Sequence, residues 1–138
     1  ERIAAYKKMN DDIGKVYNSG VDEINNGNYE NAMRYLNEAL DMIPDPKQVY
    51  EINIFVESAI GDVLFAQGQY KEARTHYDNA KNSLMGWHYA KLSFKYGKCL
   101  YELDKQSNAK SYFKKAYDVY GEEIFKGEDP KYRNSFID

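Results

Sequence analysis

Among its 138 residues the sequence has one cysteine, two histidines, one tryptophan and three prolines. A single thiol, Cys99, excludes an internal disulfide. Two histidines cannot complete a metal site unless several carboxylates converge on them, so no metal and no other cofactor is expected. An unpaired thiol favours a reducing compartment, which makes the cytoplasm the expected location; the chain opens on Glu1 rather than methionine, which leaves room for an upstream signal or domain.

Long hydrophobic runs are missing too. None approaches the roughly 18 residues of a membrane span, and the first residues lack the apolar stretch of a signal peptide, so no membrane partner is expected. Nor does one sign of charge prevail: 19 basic against 22 acidic residues give a net charge of -3, which argues against a protein that neutralises phosphates along a nucleic acid. The glycines never cluster, so no phosphate loop is present.

The groupings that catalysis requires are also lacking. Cys99 and His88 are eleven residues apart on one predicted helix, which separates them by roughly 16 Å along its axis, out of reach for a nucleophile and its base. Glu122-Glu123 and Asp11-Asp12 are adjacent in sequence and splay apart on a helix. No catalytic residue is assigned and the chain does not read as an enzyme. Cys99 reads instead as a small packed hydrophobe and His76 as a surface residue of a helix.

What the sequence does have is tyrosine, 14 of them, and an internal repeat. Three segments align without gaps: YNSGVDEINNGNYENAMRYLNEAL from Tyr17, SAIGDVLFAQGQYKEARTHYDNAK from Ser58 and FKYGKCLYELDKQSNAKSYFKKAY from Phe94. Each places a glycine (Gly20, Gly61, Gly97), an alanine twelve residues on (Ala32, Ala73, Ala109) and another seven further (Ala39, Ala80, Ala116). Where two antiparallel helices cross closely, a side chain beyond a methyl would hold the backbones apart, which explains the small residues. Sixteen residues after each glycine comes a bulky partner, Leu36, Tyr77 or Phe113. Three residues after it stand Leu64 and Leu100 in the later copies, but Glu23 in the first.

Seven residues past each helix glycine, Gly27, Gly68 and Asp104 mark the turn between paired helices. A left-handed residue closes such turns, freely for glycine and at some cost for aspartate, so the third turn is expected to differ in shape. Asn28 and, less well, Gln69 are placed to cap the helices that follow.

The pattern resembles the tetratricopeptide repeat family over residues 13 to 120. That resemblance implies an all-α fold, an α-α superhelix of three antiparallel helix pairs, with repeats at about 13–45, 46–86 and 87–120 and a C-terminal capping segment at 121–138, all within one domain. At this length one core suffices. The glycine-to-glycine steps of 41 and 36 residues exceed the family repeat of about 34. Asp45-Pro46-Lys47-Gln48 reads as the start of an extended third helix reaching Gln67. Asp129-Pro130-Lys131 opens the cap, with Tyr132 and Phe136 on one face and Ile124 and Phe125 as partners.

In this family the first helix of each pair lines a concave groove that binds a protein or peptide. Spacing assigns Tyr17 and Val21 to it from the first helix, Phe55, Asp62 and Phe65 from the second, and Lys91, Lys95, Lys98 and Tyr101 from the third. A groove aromatic in the middle and basic at one end suits a partner with apolar anchors and an acidic group. The lysine-asparagine clamp with which some relatives hold chaperone tails is not matched: Lys91 and Lys95 fit, whereas Tyr17, Val21 and Ala59 stand where the other groups belong. The stretches ALDMIPDPK, SAIGDVLF, YGKCLYEL and AYDVYGEEIFKGEDPKY also resemble small bacterial tetratricopeptide proteins of polymorphic-toxin gene neighbourhoods, which implies an immunity role, neutralising a toxin by binding it. The alternatives are a sensing or scaffold domain of a larger peptide-responsive regulator, and a groove that holds a second copy in a homo-oligomer.

Overall fold

The structure is a computed structural model that describes residues 1–137, the side chain of Trp87 apart. Its seven helices among the described residues are α1 (Arg2–Asn25), α2 (Tyr29–Met42), α3 (Glu51–Ala66), α4 (Tyr70–Lys81), α5 (Ala90–Glu102), α6 (Gln106–Tyr120) and α7 (Pro130–Ile137). Single 3-10 turns lie at Lys47–Val49, Gly86–His88 and Gly121–Phe125, and no strand occurs among the described residues. Helices α1 with α2, α3 with α4, and α5 with α6 form the three pairs, and each pair packs on the next. Among the described residues no helix is long and apolar enough to cross a membrane.

Each pair is built on the spacing seen in the sequence. A Cβ added at Gly20 would stand 2.8 Å from Leu36 Cδ2, one at Gly61 2.5 Å from Tyr77 Cε1, and one at Gly97 2.9 Å from the Phe113 ring. Glycine is thus the socket and the residue sixteen positions later the knob. All six repeat alanines are fully buried beside these crossings.

Helix α3 is apolar on nearly every side and sits in the middle of the stack, with Ile54, Val56, Ile60, Val63 and Leu64 all buried. A second core surrounds Phe113, where Phe94, Phe125 and Tyr132 converge with ring centroids 5.4 to 6.1 Å apart.

The third turn does not differ in shape. Asp104 takes φ 61, close to Gly27 at 76 and Gly68 at 77. All three turns carry the same bond pair: Gly27 N to Ile24 O with Asn28 N to Glu23 O, Gly68 N to Phe65 O with Gln69 N to Leu64 O, and Asp104 N to Tyr101 O with Lys105 N to Leu100 O. These two bonds satisfy the last carbonyls of the first helix and overrule the aspartate's preference. Asn28 and Gln69 are the cap residues of α2 and α4, but their side chains bond no helix N–H.

The extended third helix is also corrected. Residues 47–49 make one 3-10 turn, and α3 begins only at Glu51 and runs for 16 residues to Ala66. Lys47 is held away from a helix start, because its ammonium donates to Leu40 O at 2.8 Å and Ile43 O at 2.6 Å and so closes the end of α2. Leu84 N then ties the turn to the loop after α4 through Gln48 O at 2.7 Å.

At the other end, Asp129 Oδ1 accepts from Lys131 N at 3.0 Å and opens α7. Tyr132 is buried and donates to Glu102 Oε1 at 2.8 Å, while Phe136 packs on Phe125 and Tyr117. The short helix survives because it is packed, not because eight residues favour it.

Gly61→Ala is expected to destabilise the chain. The helix gains about 1 kcal/mol from losing a glycine, but the Tyr77 ring is locked on Asp62 and overpacking costs about 1–3 kcal/mol. Gly20→Ala should destabilise less than Gly61→Ala, since it meets Leu36 Cδ2 and Cγ at 2.8 and 2.9 Å, a shorter side chain with no hydrogen bond to hold it in place. Urea unfolding of both variants checks the order. Asp104→Gly should raise stability by about 0.5–1 kcal/mol in the same assay by relieving a left-handed non-glycine residue.

Candidate functional site

Helix α3 meets α1 on one side and reaches α5 on the other, through Phe55 edge-on to Tyr89 at 5.5 Å and through the Lys95 ammonium. Three clefts run along these first helices. One of about 220 Å³ is lined by Tyr17, Val21, Ile24, Phe55 and Asp62. The next, of about 180 Å³, is lined by Phe55, Ser58, Tyr89, Lys91 and Leu92. The widest, about 370 Å³, is bounded by Lys91, Phe94, Lys98, Tyr120, Ile124 and Lys126, with Glu123 and Glu128 on its rim. Lys95 lines all three, so they form one groove that bends around its ammonium.

Seven of the nine residues assigned from spacing line this groove: Tyr17, Val21, Phe55, Asp62, Lys91, Lys95 and Lys98. Phe65 and Tyr101 line none of the three clefts. The Phe65 ring packs edge-on to Tyr70 at 5.0 Å and carries the Lys98 ammonium 4.9 Å above it. Tyr101 lies edge-on to Tyr132 at 5.3 Å, under Lys131, so α7 covers it.

Tyr89, Ile124, Lys126 and Glu128 were missed by spacing because they come from segments between or after the paired helices, and Tyr120 because it ends a second helix, α6, rather than standing on a first helix. The signal was Gly121. Its φ of 62 with ψ of -148 is open to glycine almost alone, and it turns the chain out of α6 and back past the ends of α5.

The basic stripe is largely neutralised from within. Lys95 Nζ donates to Asp62 Oδ2 at 3.0 Å and Ser58 Oγ at 3.1 Å, and Tyr77 Oη donates to Asp62 Oδ1 at 2.6 Å. Lys98 pairs with Glu128 at 3.0 Å and lies over the Phe65 and Phe94 rings. Among the described residues Lys91 and Lys126 have no carboxylate within ion-pair distance; Lys91 sits 5.6 Å from the Tyr120 ring centroid. At the wide end these two lysines face one carboxylate left unpaired among the described residues, Glu123, so a net positive charge remains there.

Burial, reinforced by Asp62, pushes the Tyr77 hydroxyl well above the ordinary tyrosine range, and the same two causes raise Tyr17. Burial pushes the Cys99 thiol up to about 12, as suits a packed side chain. His88 lies in the 3-10 turn ahead of α5 rather than on the helix that carries Cys99. His76 is not a plain surface residue: its Nδ1 lies 2.6 Å from Glu57 Oε1, because Glu57 is buried on the facing side of α3. Among the described residues no group of three or more histidine, cysteine, aspartate or glutamate side chains could hold a metal ion.

Helix pairs stacked in one register, with a groove along their first helices, define an α-helical repeat protein of the solenoid class. A tetratricopeptide repeat model matches residues 50–122, more than half of the chain, and a second tetratricopeptide repeat model matches residues 23–46. The chain belongs to the tetratricopeptide repeat family. Among solved structures it is similar to the Yersinia enterocolitica type III secretion chaperone SycD, in a complex with a peptide of the translocator YopD. The TM-score is 0.71 at 19% identity, over 92% of this chain and 91% of that one. A search of curated protein sequences found no significant match.

An unfolded tyrosine ionises near pH 10, about its unperturbed value. The folded chain holds the Tyr77 and Tyr132 protons above that. It then binds more protons than the unfolded chain, so stability is expected to be complete below about pH 10 and to fall as pH rises further. Absorbance at 295 nm should show these two tyrosines ionising only with unfolding. Tyr77→Phe should flatten the fall and cost about 1 kcal/mol at neutral pH by removing its bond to Asp62.

Proposed function

We propose that the chain is a non-catalytic binding module whose groove holds an extended or helical segment of a protein partner. The observation that carries this reading is the continuity of the groove: three clefts share Lys95 and offer apolar surface at Phe55, Tyr89, Phe94 and Ile124 beside the free ammonium groups of Lys91 and Lys126. Apolar anchors set in such pockets supply most of the binding energy, and the cations select an acidic neighbour. That the similar secretion chaperone was solved with a translocator peptide supports the same use of the fold.

Within this reading, the resemblance to small bacterial proteins of toxin gene neighbourhoods gives a narrower form, an immunity protein that binds and silences a toxin. The groove suits such a partner because Lys95 and Lys98 are already balanced by Asp62 and Glu128. Selectivity falls to Lys91 and Lys126, whose position suits one carboxylate beside an apolar side chain.

Selection of binders from a random twelve-residue peptide display library tests the general form. Enriched peptides are expected to carry apolar anchors and an acidic residue, and to lose at least about tenfold in affinity with Lys91→Glu plus Lys126→Glu. Phe55→Ala should weaken them as well. Binders that ignore both changes would sink the reading. The narrower form predicts that the partner recovered from the source cells is a toxin inhibited at equal molar ratio; a partner whose activity is untouched removes the immunity role and leaves the groove.

A further inference from the structure

The insertion between the first and second helix pairs builds a separate polar cleft, which shares no lining residue with the groove. It measures about 390 Å³, and its walls are Asp45 and Gln48 of the insertion, Asn53 and Glu57 of α3, and Asn79 and Asn82 at the end of α4. Asn53 and Glu57 are four residues apart and so share one face of α3, turned away from the groove face of Ser58 and Asp62.

Acceptors outnumber donors here. Asn53 is 3% exposed, and its Nδ2 donates to Ser83 Oγ at 2.8 Å. Ser83 in turn donates to Asn79 O at 3.0 Å, which fixes the hydroxyl as an acceptor toward Asn53 and so fixes the way the amide faces. Asn53 Oδ1 is left buried with no partner. An unmet buried acceptor is destabilising, so a donor entering the cleft would relieve it.

Glu57 is also buried. One carboxylate oxygen lies against His76, and the other accepts only a long 3.3 Å bond from Asn79 Nδ2, which leaves it capacity for a further donor. Asp45, exposed at the rim, forms no ion pair among the described residues. His76 already meets Glu57 through Oε1, and the ammonium of the remaining lining residue, Lys47, is engaged by the Leu40 and Ile43 carbonyls, so neither forms an ion pair with Asp45.

We infer that this cleft is a binding site for a cationic nitrogen group on a flexible stem, a guanidinium or alkylammonium, as carried by an arginine or lysine of a partner protein or by a free amine. A guanidinium presents five donors in a planar fork, enough to serve the Asn53 carbonyl and the Glu57 carboxylate together while its charge faces Asp45. A water molecule could satisfy the amide oxygen but brings no charge to the two acids. The site owes nothing to the groove, and its test is independent of the peptide-binding reading.

The experiment is a titration of the intact chain, followed by amide NMR, with agmatine and then with an acetylated, amidated Gly-Gly-Arg-Gly-Gly peptide. N-butylurea serves as the neutral control. Both cations should move the signals of residues 45–48, 79 and 82 and the Asn53 side-chain amide, saturating in the millimolar range. Glu57→Gln should weaken binding about tenfold or more, as loss of a charged hydrogen-bond partner does. Because Glu57 is buried and its substitution also disturbs packing, the exposed Asp45→Asn is the second variant, with about a threefold loss. Tighter binding of the peptide than of agmatine assigns the site to a partner's side chain; equal binding assigns it to a free amine. The inference is overturned if N-butylurea reproduces the shifts, or if the cations perturb acidic surface at large and neither substitution changes the response, in which case the cleft holds water alone.

Discussion

The close crossing of paired helices is the constraint on which the rest of the structure depends. A glycine in the first helix meets a large side chain in the second, and the absence of one methyl group sets the distance between backbones. Because the three contacts repeat at the same relative place, the first helices fall side by side and expose one face each. The groove is a by-product of that register. At the middle crossing the knob, Tyr77, extends its hydroxyl to Asp62 at 2.6 Å, and Asp62 then holds Lys95. One side chain thus joins the packing of a pair to the electrostatics of the groove.

That junction limits what the groove's lysines can do. A lysine row on a helix suggests a strongly basic surface, yet Lys95 and Lys98 are each bound to an acid of the same chain. Such part-buried pairs add little to stability; their larger effect is to fix two ammonium groups in place and to cancel their reach. Recognition then rests on shape and apolar contact along most of the groove, with a charge preference confined to the end where Lys91 and Lys126 stand.

Much of this was legible in the sequence because it depends on residues at fixed intervals. Gly20, Gly61 and Gly97, with their alanines and knobs, gave the three pairs, and helical spacing put Tyr17, Val21, Phe55, Asp62 and the lysines on the face that lines the clefts. The structure departs where tertiary bonds compete with local preference. Lys47 looked like part of a helix start but closes α2 instead. Asp104 looked like a poor turn residue but is held in the left-handed region by the same bond pair as its glycine counterparts. Phe65 and Tyr101 left the groove because α5 and α7 cover them, and no periodicity records what a distant segment will cover. The walls supplied by Tyr120, Ile124 and Lys126 depend on a single reversal at Gly121, which spacing within helices does not describe.

The C-terminal helix has a consequence for how such an array can grow. Solenoids lengthen when a new unit stacks on an exposed terminal surface. Here α7 takes up that surface on the third pair, with Tyr132 buried against Phe113 and Phe136 against Phe125 and Tyr117. A further repeat could not be appended after α6 without evicting it. On helix α1, by contrast, Ile3 and Tyr6 are exposed near its start. Lengthening the array by design beyond the third pair would therefore have to begin by replacing α7 and the aromatic contacts it makes.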